Sequence, residues 1–406
     1  MKKGLVLIVL ALLLPAAFAI AAKAPVAGTL DRTFAGDGMI DFEAEQSGLG
    51  VAETRSGKIV QGRFPAIVAR YTPRGRPDRS LGGDGTVRTR YHGKRFDPVD
   101  LLVDRKDRIV ILANCRGCGK KGNYSWSALI RLLPNGQRDR SFARNGIAIH
   151  RFSEDFYSRE IAFAPGGRIV AVSSSSREGS LVLRYRQNGR LDRGFSGNGI
   201  LRFALGSGIN EVSTVAVDKN GRIAFGFRAR PHTKLNPRNR PRLGVARLLP
   251  NGRFDRSFSI DGTADFVVPD MGGGIVTQVT IDRRGRIVGT GLNGSLHAPF
   301  FRLTRNGRLD RSFAKNGIDQ VAWTSVRSLS VDPKGRILVL GDDAPPYGGP
   351  SGAKIFRFGP NGSEDPNFRY RGTLYNVHDH FVDRRGRIVV SGSVYGGPAL
   401  ARLRNP

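Results

Sequence analysis

Apolar and polar residues alternate along this chain in short runs, and turn chemistry repeatedly interrupts the alternation. Ser328-Leu329-Ser330-Val331 alternates, Asp332-Pro333-Lys334-Gly335 turns, and Ile337-Leu338-Val339-Leu340 returns. This predicts a β-hairpin, with glycine where the turn needs positive φ. In a second pattern Phe301-Arg302-Leu303 leads into Asn306-Gly307, and Gly317-Ile318 begins the next strand. Asn-Gly is a strong turn signal. After the N-terminal segment no stretch carries a sustained helical period of 3.6 residues.

Both patterns recur seven times, in strict alternation. One reads Arg-Leu-x-x-Asn-Gly-x-x-Asp-Arg-Ser-Phe-x-x-x-Gly, with its Asp at 31, 78, 139, 192, 255, 310 and 365. The other reads Val-Asp-x-x-Gly-Arg-Ile-Val, around Gly57, Asp107, Gly167, Gly221, Gly285, Gly335 and Gly386. Each pair predicts a four-stranded antiparallel meander of about 50–60 residues, its strands a to d in chain order. One such unit cannot bury both faces, but seven stacked radially can. The expectation is therefore an all-β, seven-bladed β-propeller. The chain enters in mid-module at Leu30-Asp31-Arg32-Thr33-Phe34 and leaves at Arg402-Leu403-Arg404-Asn405-Pro406. An N-terminal strand within Gly38 to Phe42 is expected to complete the last blade.

The Asn-Gly-x-Leu-Asp-x-Ser-Phe-x-x-x-Gly element at this spacing resembles the delta-60 repeat family of predicted β-propellers, over residues 30–406. The family's Gly after Phe is present only as Gly82, after Leu81. Ala35, Ala143, Ala314, Ser196, Ser259 and Arg369 stand at the other copies. The resemblance implies architecture and export, and no established activity.

Composition adds location and charge. Lys2 and Lys3 precede an apolar run from Gly4 to Ala22 that ends in Ala17-Phe18-Ala19 and Ala19-Ile20-Ala21. Residues 1–21 read as a secretory signal peptide, 22–29 as a short linker and 30–406 as the propeller. The expected product is secreted or on the cell surface, monomeric, and without a membrane span once the signal is cleaved. The 406 residues include 53 Gly and 22 Pro, too few for collagen, and an apolar fraction of 39% that supports a core. Two cysteines exclude a disulfide scaffold and, alone, a structural zinc site. Lys and Arg total 65 against 34 acids, a net charge of +31. Outside the repeated frame, cations still outnumber acids about two to one, a field that attracts polyanions.

Loop length points to one face. From the strand-c Arg to the module Asp the step is always 8, and from that Asp to the next Gly always 7. The b–c and d–a connections vary. They share one face of the disc, and insertions confined to one face mark a binding face. In blade two the b–c loop carries Cys115, Arg116, Cys118, Lys120, Lys121, Tyr124 and Trp126. In blade four it carries Arg228, Arg230, Lys234, Arg238, Arg240 and Arg242. Neither contains an acid. Blades six and seven add Tyr347 and Tyr395. These cations and aromatics are the ligand-binding candidates, and Cys115 with Cys118 is the disulfide candidate. Four positions before the strand-a turn stand Gly50, Asp100, Glu160, Thr214, Gln278, Ser328 and Asp379, mostly polar among apolar neighbours. Asp100, Glu160, Asp379, His378 and His380 are the weak catalytic candidates, placed along the central channel. No metal site and no cofactor are expected, and no Gly-x-Ser-x-Gly, His-Glu-x-x-His or phosphate loop occurs.

The expected function is an exported binding or scaffold propeller, docking an anionic polysaccharide or acidic protein rather than nucleic acid. A lyase or hydrolase on acidic polysaccharide, working through the channel carboxylates and histidines, is the alternative. A purely structural surface protein is a third reading. Enzymatic activity is left open and is not the favoured reading.

Overall fold

The computed structural model describes residues 26–42, 47–115, 118, 126–152, 156–175, 179–203, 211–229, 242–268, 274–292, 298–321, 325–343, 352–368, 370, 372, 374, 376–394 and 397–406. Residues 1–21, the expected signal peptide, lie outside them. No helix among the described residues is long and apolar enough to cross a membrane.

Seven antiparallel sheets follow one another around an axis. Blade three is typical, with strands Phe156–Ala164, Arg168–Ser175, Gly179–Tyr185 and Ile200–Phe203 in that order. Blade two gains a short hairpin, Arg90–Tyr91 pairing with Lys94–Val103. In blade six, Leu374 marks the place of strand d, its carbonyl accepting the Ala353 N–H at 3.1 Å. Blade seven is completed by the N-terminal strand Met39–Asp41, which pairs with Gly397–Leu403 in the register Met39 to Ala401 and Asp41 to Ala399. The expected closure is therefore the observed one.

The core lies between blades. Seven buried apolar clusters can be drawn, and each mixes side chains of two neighbouring blades. Val60 and Val68 of blade one meet Leu101 and Ile109 of blade two. The ring closes where Val51 and Ile59 of blade one meet Val389 and Leu400 of blade seven. A blade buries its second face only against a neighbour, so the apolar runs of strands b and c need the complete circle.

Every strand a carries an irregularity in its pairing with strand b. The register slips between Gly48 and Val51, Pro98 and Asp100, Ser158 and Glu160, Val212 and Thr214, Val276 and Gln278, Val326 and Ser328, and Val377 and Asp379. A bulge re-aims the side chain beside it. Here it falls at the polar position of six inner strands and at Gly50 in blade one.

Candidate functional site

The invariant spacings are explained by a joint between blades. Arg131, 3% exposed, donates from Nε to Asp139 at 2.8 Å and from Nη1 to the Gln187 carbonyl of blade three at 2.6 Å. Arg70 reaches the Pro134 carbonyl, Arg247 the Arg305 carbonyl, each at 2.6 Å. Arg184, Arg302 and Arg402 make the same bond to Pro250, Pro360 and Pro73, and Arg357 to the Asn405 side chain. Arg402 also pairs with Asp31 at 2.8 Å, so the joint crosses the seam. The module Phe lies under its guanidinium, as Phe142 does under Arg131 at 4.4 Å. A Cβ on Gly189 of the next blade's turn, at φ 78°, would come within 2.7 Å of that ring. One residue on, the N–H of Ala143 donates to the Asn188 carbonyl at 2.6 Å. No insertion fits without breaking this set.

The module aspartates are accordingly acidic. Burial alone would raise Asp78, but hydrogen bonds from Lys58, Ser80 and Arg70 hold it down at about 2. Arg108 bonds both Asp104 of its a–b turn and Asp139 of its c–d turn, as Arg387 bonds Asp383 and Asp31. The a–b and c–d turns therefore share one face.

At the inner bulges the catalytic candidates come together, as cross-blade acceptors. Asp379 Oδ2 accepts the Val51 N–H of blade one at 3.0 Å, Asp100 Oδ2 the Ile161 N–H at 2.9 Å, and Glu160 Oε2 the Val215 N–H at 2.8 Å. Thr214 Oγ1 accepts the Val279 N–H at 3.1 Å. Gly50 has no side chain to offer. A Cβ there would sit 3.1 Å from Asp100 Oδ1, which accepts the Leu101 N–H instead. The three acids are half-buried. Burial, followed by the neighbouring acid, pushes Asp100 and Glu160 well above the ordinary carboxylate range, and burial raises Asp379. His380 is buried, its ring nitrogens 2.8 Å from Ser328 Oγ and 2.6 Å from Ser330 Oγ, and burial lowers its pKa to about 3. Ser328 Oγ also donates to Asp379 Oδ1 at 2.9 Å. His378 stands at the bulge itself, half-buried, and is pushed down by burial and by Arg327. Among the described residues no group of three or more His, Cys, Asp or Glu is placed to hold a metal ion.

Of the loop candidates, Arg116, Lys120, Lys121, Tyr124, Arg230, Lys234, Arg238, Arg240, Tyr347 and Tyr395 lie outside the described residues. The others already have partners. Arg228 lies 3.7 Å from Glu211, Arg242 pairs with Asp265, and Arg151 sits 4.5 Å over the Trp126 ring. Glu211 stands just before strand a of blade four and Asp265 lies within its strand d, which is why a loop-by-loop reading missed them. Cys115 and Cys118 are joined, with Cα atoms 5.6 Å apart.

A family model described as a domain of unknown function (DUF5122) β-propeller matches residues 333–368, from the a–b turn to the module Phe of blade six. No curated protein matches the chain. Among solved structures, YCF48 bound to D1 peptide superposes with a TM-score of 0.50 at 10% identity, covering 95% of this chain and 100% of that one. The extracellular domain of the hybrid two-component system BT4673 from B. thetaiotaomicron gives 0.50 at 14% identity, and this chain spans 40% of its length while 90% of this chain is covered. The Dos1 propeller gives 0.49 at 10% identity, covering 88% of this chain and 77% of that one. Identities this low speak for fold alone, and the seven closed blades make the chain a seven-bladed β-propeller.

Proposed function

We propose that the chain is an exported binding or scaffold propeller of the delta-60 repeat type that docks an anionic surface polymer through the basic b–c loops of blades two and four. The observation that carries this reading is the net charge of +31, most of it outside the repeated frame. A field of that size raises the local concentration of polyanions. The test is retention of the full chain on heparin. Retention is expected to vanish at moderate salt and to weaken when Arg228, Arg230, Lys234, Arg238, Arg240 and Arg242 are all changed to Ser. Unchanged retention in that variant rejects the loop assignment.

A second reading, a lyase or hydrolase on acidic polysaccharide, draws on Asp100 and Glu160, whose pKa values burial raises, and on His380, which follows Asp379 in blade seven. Product formation from such a polymer, lost in His380→Ala, selects it. Binding without turnover selects the first reading.

A further inference from the structure

The face of the disc with invariant turn lengths carries a continuous basic track. Four cavities open between neighbouring a–b turns, of 540, 740, 670 and 460 Å³. They share walls. The 540 Å³ cavity begins at Arg384 of blade seven and Arg55 of blade one and shares Val103, Asp104 and Arg105 with the 740 Å³ cavity. That one shares Val217, Asp218 and Lys219 with the 670 Å³ cavity, which in turn shares Asp282 and Arg283 with the last. The last ends at Lys334 of blade six. The grooves thus touch all seven blades.

The charge along this track is unbalanced for a structural reason. Its aspartates are committed to frame arginines, Asp104 to Arg108, Asp218 to Arg222, Asp282 to Arg286 and Asp332 to Arg336. The two tip positions of the turns point no acid outward. Arg105, Lys106, Lys219, Arg283, Arg284 and Lys334 occupy them, all exposed and none in an ion pair with a described residue. Blade three is the exception. Ala164 stands at the Asp position and Pro165-Gly166-Gly167 forms the turn, which leaves an apolar floor of Val103, Phe163 and Val217 in the widest cavity.

We infer that this track binds a linear anionic polysaccharide laid around the axial mouth, on the face opposite the b–c loops. The inference rests on the reading above for the class of partner and assigns it a different surface. Cations repeated from blade to blade suit acid groups repeated along a flexible chain, and Arg forks suit carboxylates or sulfates. Among the described residues Phe163 is the single aromatic side chain that lines the four cavities, so the succession of stacking platforms that single-stranded nucleic acid uses is missing there. The exposed large apolar side chains, such as Ile260, stand outside the track, and its apolar floor is made of half-buried Val103, Phe163 and Val217 rather than of a protruding side chain of the kind that anchors a protein interface.

The experiment titrates the full chain into fluorescently labelled polygalacturonate over a range of salt, with polyuridylate as competitor. Changing Arg105, Lys106, Lys219, Arg283, Arg284 and Lys334 to Ser is expected to weaken binding by about tenfold or more at low salt and to flatten its salt dependence. Lys219→Glu with Arg283→Glu, two exposed turn positions, is expected to do the same, and unchanged melting of this variant guards against a folding artefact. Affinity and salt slope within about twofold of the parent overturn the track, as does polyuridylate binding tighter than polygalacturonate. If the blade-four loop variant alone loses binding, the track fails and the loop reading stands. If the parent binds no polyanion, both fail.

Discussion

In five blades the strand-c arginine holds three things at once: its own blade's aspartate, the module hydroxyl, and a carbonyl of the next blade. Arg247, for example, bonds Asp255, Ser257 and the Arg305 carbonyl. Arg247→Met would leave Asp255, 3% exposed, without its counter-charge. A loss of about 3–5 kcal/mol is expected in urea unfolding. A smaller gain is expected at the residue after the module Phe. Ala314 has φ 45°, a left-handed conformation that costs a side chain about 1–2 kcal/mol. Ala314→Gly should recover about 0.5–1 kcal/mol net of glycine's greater entropy loss, read as a raised urea midpoint. The axial acids predict a pH effect. Their folded pKa values lie above the unfolded ones, so the stability they contribute is complete below about pH 4 and is lost as pH rises toward and beyond neutrality. The module aspartates and His380 act in the other sense, losing stability as pH falls. Asp100→Asn with Glu160→Gln and Asp379→Asn should therefore flatten the decline on the alkaline side and leave the acid limb in place, as followed by melting temperature against pH. The Arg–Asp step of 8 residues was legible because both partners lie in one repeat. The cross-blade carbonyl was not, because nothing local in sequence says which backbone atom of the next repeat will face the guanidinium.

At the scale of strands, hairpins and turns were readable from alternation and from Asn-Gly, down to the N-terminal strand that completes blade seven. The bulge in each strand a was visible only as its shadow, a polar residue in an apolar run. Gly50 is the member of that series without a polar side chain, and its place against Asp100 explains it. Closure can be tested directly. Deleting residues 1–42 removes the partner of Ala399 to Ala401 and bares a sheet edge. The truncated chain is expected to lose cooperative melting and to aggregate by light scattering. A permuted chain that links residue 406 to residue 26 and opens before residue 47 should melt like the parent. The joined Cys115 and Cys118 predict no labelled thiol on mass spectrometry after alkylation without reductant.

For the whole molecule, fold followed from the count of repeats, since seven half-covered sheets have few ways to hide their faces. The location of charge did not follow in the same way. Loop composition drew attention to the variable face, where Arg228 and Arg242 turn out to meet Glu211 and Asp265. The exposed cations at the tips of the a–b turns, such as Arg105 and Lys219, drew no notice beside the fixed arginines of the same turns, such as Arg108 and Arg222. Exposure depends on which side of a hairpin a residue faces, and a single sequence does not state it. The seam has a further consequence in time. Met39 to Asp41 pair only with Ala399 to Ala401, and Asp31 waits for Arg402. The first strand described is thus the last to find its neighbour, and a growing polypeptide must carry that unmatched edge until Gly397–Leu403 has emerged.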